Sequence, residues 1–103
     1  VEGFPLPIYP GTEVKDTGKL STGEYATYTG EFIIKADFDD LVEFYENAVK
    51  ERGVAEVTRL EASDGGWKEM MLMGQSETES GTIDIQWEES TGAAMVTILW
   101  GDK

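Results

Sequence analysis

Between Phe38 and Val49 the apolar residues return at steps of three, four and seven: Phe38, Leu41, Val42, Tyr45, Ala48 and Val49. That spacing lays them along one stripe of an α-helix. Asp37 stands where an N-cap belongs, and Asp39 and Asp40 follow at the positive end of the helix dipole. Lys50 and Arg52 sit near the negative end, and Gly53 suits the residue just past it. The pattern predicts a helix over 38–52.

Downstream the period falls to two. From Thr82 to Glu89, Ile83, Ile85 and Trp87 alternate with Asp84, Gln86 and Glu88, as in a strand with one buried face. A four-residue loop, Glu89 to Gly92, leads into a strand from Ala93 to Trp100. It pairs Ile83 with Ile98, Ile85 with Val96 and Trp87 with Ala94, so register and alternation agree. Val54 to Ala62 and Trp67 to Met73 read as a hairpin around Ser63-Asp64-Gly65-Gly66. Gln75 to Ser80 is a polar loop.

Upstream, residues 24–36 are rich in Tyr, Thr, Phe and Ile and read as a strand, with Gly30 marking a bulge or bend. Residues 12–23 predict a short edge strand followed by a loop. Pro5, Pro7 and Pro10 restrict the opening to extended geometry. Residues 1–11 therefore form an arm, with Phe4, Leu6, Ile8 and Tyr9 available to dock. A Pro-rich ligand for an aromatic groove is the other use of such a segment.

One helix cannot bury its stripe alone, so it packs on the sheet. The expectation is a single α+β domain over 1–103. It has an antiparallel meander of about five strands, one helix on one face, and the order β-β-α-β-β-β-β.

The alternation is broken in two places. Met70, Met71, Leu72 and Met73 put apolar groups on both faces of one strand, and Met95 and Leu99 lie opposite the core positions of the last. The face away from the helix is therefore partly apolar, and Met-rich surface makes an adaptable contact. Met70, Leu72, Met95 and Leu99 are the candidate partner-binding residues. Either the arm or the 12–23 segment covers this face, or an unknown protein or a second copy does.

Composition narrows the chemistry. The chain has no His and no Cys, and 21 Asp and Glu against 8 Lys and Arg, for a net charge of −13. Thiolate and imidazole catalysis and Cys/His metal clusters are excluded. Nucleic acid and anionic membranes are repelled. No apolar run reaches the length of a membrane span. No cofactor or metal is expected, and no catalytic residue stands out. Asp37, Asp39 and Asp40 offer a divalent cation some carboxylates, but helix capping accounts for them. A carboxylate-pair hydrolase is the weakest alternative, because so many acids offer pairs without specificity. Ser63-Asp64-Gly65-Gly66 lacks the Lys and the strand-to-helix setting of a phosphate loop. The chain opens at Val1, as expected of a trimmed or processed product with a leader or anchor upstream.

Pro7-Ile8-Tyr9-Pro10-Gly11-Thr12-Glu13-Val14, a following strand, then Asp37-Phe38-Asp39-Asp40-Leu41-Val42-Glu43-Phe44-Tyr45-Glu46 and Arg52-Gly53 resemble small cell-envelope domains of bacteria and archaea. Those domains are often borne on lipoproteins and are largely of unknown function. Val54 stands where they often carry Trp. The resemblance covers the first half of the chain and implies an α+β fold and an extracytoplasmic location. The expected function is a non-enzymatic protein- or ligand-contact module.

Overall fold

Each turn signal ends a strand, and the strands join in one sheet. The computed structural model describes residues 6–23 and 25–102. They form β1 (Glu13–Thr22), β2 (Tyr25–Lys35), α1 (Phe38–Glu51), β3 (Val57–Asp64), β4 (Trp67–Gln75), β5 (Glu79–Glu88) and β6 (Ala93–Asp102). The sheet has six strands in the order β1-β2-β6-β5-β4-β3, every neighbouring pair antiparallel. The fold is α+β, with six strands where about five were expected. The meander holds from β3 to β6, and β6 then closes against β2.

The extra extent lies in β1. Its Thr, Lys and Gly residues form a ten-residue edge strand, where the sequence pattern suggested a short strand and a loop. An edge strand pairs on one side only and tolerates polar residues on both faces. The register shift falls between Val14 and Asp16, not at Gly30. Gly30 is buried and sits in register with both Thr17 and Ile98.

The β3–β4 turn is the two-residue Gly65-Gly66, with φ of +52° and +86°. Positive φ at both positions is the type I′ geometry that suits strand twist, and glycine supplies it without a Cβ penalty. The β5–β6 register is the expected one: Ile83 with Ile98, Ile85 with Val96, Trp87 with Ala94.

Asp37 occupies the N-cap position with extended backbone, but its side chain makes no capping bond. Asp39 and Asp40 stand in the first turn and Lys50 in the last. At the other end the Arg52 and Gly53 amides donate to the Val49 and Lys50 carbonyls, both at 3.0 Å.

The helical stripe Phe38, Leu41, Val42, Tyr45, Ala48 and Val49 is buried against Phe32, Ile34, Met70, Leu72, Ile83, Ile85, Val96 and Ile98. Burial pushes the Tyr45 phenol up from its usual range. Two tryptophans tie the helix ends to the sheet. The Trp87 indole N–H donates to the Ala36 carbonyl at 2.9 Å, with its ring 6.1 Å from that of Phe38. The Trp100 indole N–H donates to Glu79 Oε1 at 2.7 Å. Glu79 in turn accepts from Arg52 Nε and Nη2 at 2.9 and 2.6 Å. These bonds hold the Glu79 carboxyl below its usual range.

The arm docks on the helix side. Leu6 is buried in the same core, and the Tyr9 ring stands edge-on to Phe44 at 5.0 Å. Ile8 is exposed rather than docked, and Phe4 lies outside the described residues. No helix among the described residues is long and apolar enough to cross a membrane.

Candidate functional site: the open sheet face

Residues paired across antiparallel strands share a face, so register alone assigns both sides of the sheet. Three rows cross all six strands on the side away from α1. One runs Asp16–Glu31–Thr97–Asp84–Met71–Leu60 and the next Gly18–Thr29–Leu99–Thr82–Met73–Thr58. The third runs Glu13–Ile33–Met95–Gln86–Glu69–Ala62. Every charge in these rows is negative.

The four candidate residues divide between the two faces. Met95 and Leu99 stand on the open face, 39% and 47% exposed. Met70 and Leu72 are in the core at 4% and 1% exposure, because β4 pairs Met70 with Ile85 and Leu72 with Ile83. Their odd-numbered neighbours Met71 and Met73 are the residues that join Met95 and Leu99. The missing signal was the length of the β4–β5 turn. Ser76 shapes it: its amide donates to the Glu79 carbonyl at 2.8 Å, and its hydroxyl accepts from the Glu79 amide at 3.0 Å.

The expectation that the chain covers this face itself is not met among the described residues. Leu6 and Tyr9 pack with the helix-side core, and 13–22 lie in the plane of the sheet as β1.

Asp84 sits near the middle of the face, between Met71 and Thr97. Its Oδ1 is buried without a hydrogen-bond partner among the described residues, while Oδ2 accepts from Gln86 Nε2 at 3.1 Å. The same Gln86 amide reaches Glu69 Oε2 at 3.4 Å. Desolvation first, and the neighbouring Glu69 second, push the Asp84 carboxyl up to about 6. An acid placed among methionines, with one oxygen unpaired, costs stability in its ionised form. The strict alternation of β5 sets Asp84 on the polar face, and alternation alone carries no sign of its desolvation.

The other concave features add little chemistry. An open depression of about 780 Å³ beside Thr58, Met73, Gln75, Ser80 and Thr82 continues the face past the ends of β3 and β4. A smaller groove between α1 and β3 gathers Asp39, Glu43, Glu46, Arg59 and Glu61. There Glu46 is bound by Arg59 and by Lys50 Nζ at 3.2 Å, and Arg59 foremost holds its carboxyl below the usual range. It is an engaged anion, unsuited to giving up a proton near neutrality. Among the described residues no group of three or more carboxylates is placed to hold a metal ion.

No protein-family model, curated protein or solved structure matches this chain.

Proposed function

We propose that this chain is a non-enzymatic contact module whose open sheet face receives another polypeptide in an extracytoplasmic setting. The observation that supports the reading best is the uncovered apolar patch of Ile33, Met71, Met73, Met95 and Leu99, set in the three central rows. Leu60, 58% exposed, extends it to the β3 edge. Antiparallel sheets often leave one face to water, but that face is then polar. Here it carries methionines, which adapt to varied partners. The openness of the face favours a polypeptide over a small substrate, which enclosed pockets suit better. The extracytoplasmic setting rests on the opening Pro-Gly motif and the helix pattern alone.

A photo-crosslinking amino acid at position 95, in the chain produced in its native cells, tests the reading. It should trap a discrete polypeptide adduct, whereas the same group at the exposed helix position Glu51 should not. Adducts equal at both positions, or none at position 95, would remove the sheet face as the contact surface.

A further inference from the structure

We propose that the occupant of this face is a basic amphipathic segment of another polypeptide, with Lys or Arg side chains alternating with apolar ones. This rests on the reading of the open face as a contact surface and adds the chemistry of what lies on it.

Charge complementarity carries the choice. The three central rows hold Glu13, Asp16, Glu31, Glu69 and Asp84 and not one Lys or Arg. Glu13, at the β1 end, is paired with Lys15 at 3.1 Å, and the other four set the demand for cations. The acids are interleaved with methionine, leucine and threonine rather than gathered at a rim. A partner that buries the apolar groups must therefore cover the acids too. Buried uncompensated carboxylates are costly, so the covering surface has to bring cations. Asp84 shows the demand most directly. It lies at the middle of these rows, between Met71 and Thr97, and among the described residues only the neutral Gln86 amide donates to its Oδ2. A guanidinium or ammonium laid over the face would bring it a compensating charge.

The same argument eliminates other occupants. A second copy would set these acids against themselves, in a chain whose net charge is −13. Nucleic acid and anionic lipid are repelled for that reason as well. A bare cation would satisfy the carboxylates and leave the methionines wet. In extended form the segment has the right period, since alternate side chains face the sheet.

The chain has four methionines, and their placement supplies the assay. Met71, Met73 and Met95 belong to the open face, whereas Met70 is in the core and serves as an internal control. Methyl-¹³C-methionine spectra of the intact chain would be recorded against a peptide of about ten residues alternating Lys and Leu, long enough to span the sheet. Its Glu–Leu counterpart would be run in parallel. The expected result is a saturable shift of the Met71, Met73 and Met95 signals by the Lys peptide alone, with Met70 unmoved. Affinity should fall about tenfold or more in the Asp84→Asn/Glu69→Gln double variant, and again when salt rises from about 0.05 M to about 0.5 M.

Equal binding of both peptides, unaffected by the double variant, would overturn the charge selection and leave the contact surface standing. If neither peptide moves any of the three signals, the charge selection and the contact surface both fall. Concentration-dependent shifts of the three signals without peptide would make a second copy the occupant and overturn the proposal.

Discussion

Leu72 and Met73 are neighbours in the chain, and the two faces of the sheet treat them oppositely. Under the helix, the row through Leu72 runs on to Ile83 and Ile98, all at 1% exposure or less. On the other side, the row through Met73 runs to Thr82 and Leu99, and Leu99 is 47% exposed. The backbone ladder is common to both. What differs is closure: one face has a helix and an arm seated on it, and the other has apolar groups with nothing of the described chain above them. An apolar side chain is therefore evidence of a core only when something covers it.

The largest effect should come from putting a charge on each side in turn. Leu72→Asp buries a carboxylate with no partner and should cost more than about 4 kcal/mol, a large share of a small domain's stability. Met73→Asp, one residue on, should cost about 1 kcal/mol or less. Urea unfolding followed by circular dichroism separates the two. Similar losses would mean that the faces are equally closed, and the contrast would collapse.

Glycine offers a second, smaller comparison. A Cβ at Gly81 would stand 2.2 Å from the Leu99 carbonyl oxygen and 2.5 Å from the Trp100 ring. Trp100 thus lies over a gap that only glycine leaves. Gly81→Ala should cost about 2–3 kcal/mol through overpacking and displacement of the indole. At Gly18, on the open face, the nearest obstacle is the Thr29 hydroxyl at 2.9 Å, which can rotate aside. Gly18→Ala should change stability by about 0.5 kcal/mol or less. Thermal melts of the two variants would decide it, and a large loss at Gly18 would show the open face to be as rigid as the core.

Much of this architecture was legible in the residues. The helix announces itself through its stripe, and the β5–β6 register follows from a four-residue loop and strict alternation. Other features escaped because the deciding interaction is not local. Whether Met70 or Met71 faces the helix depends on a turn that Ser76 closes through its own hydrogen bonds, and composition does not reveal that. The length of β1 was hidden because an edge strand needs no apolar face. The arm's side was hidden because Leu6 and Tyr9 would suit either surface, and the core with its neighbouring Phe44 ring draws Tyr9 to the helix. Of the four candidate contact residues, Met95 and Leu99 were readable from their place opposite Val96 and Ile98. Met70 and Leu72 were not, because both parities of β4 are apolar.

The smallest effect tests the open face at Asp84, and its sign runs against the usual behaviour of an acid. In the folded chain the Asp84 carboxyl is held up to about 6, against an ordinary value of 3.8. Between these two values the folded chain keeps a proton that the unfolded chain has released. Stability from this group is therefore greatest near pH 4 and declines as pH rises to about 6, beyond which the penalty is constant. The full shift would correspond to about 3 kcal/mol, but the group is only partly buried, and solvent screening reduces this to about 1 kcal/mol. Asp84→Asn should thus stabilise the chain by about 1 kcal/mol at pH 7 and by almost nothing at pH 4. Glu79→Gln should behave in the opposite sense, because Arg52 and Trp100 hold that carboxyl low. It should destabilise at pH 7, with the difference fading in acid. Denaturation midpoints of both variants at pH 4 and 7 measure the signs directly. A destabilised Asp84→Asn at neutral pH would mean that the carboxylate is structural. The expected gain would mark it as a residue kept at a cost to the fold, as contact surfaces often require.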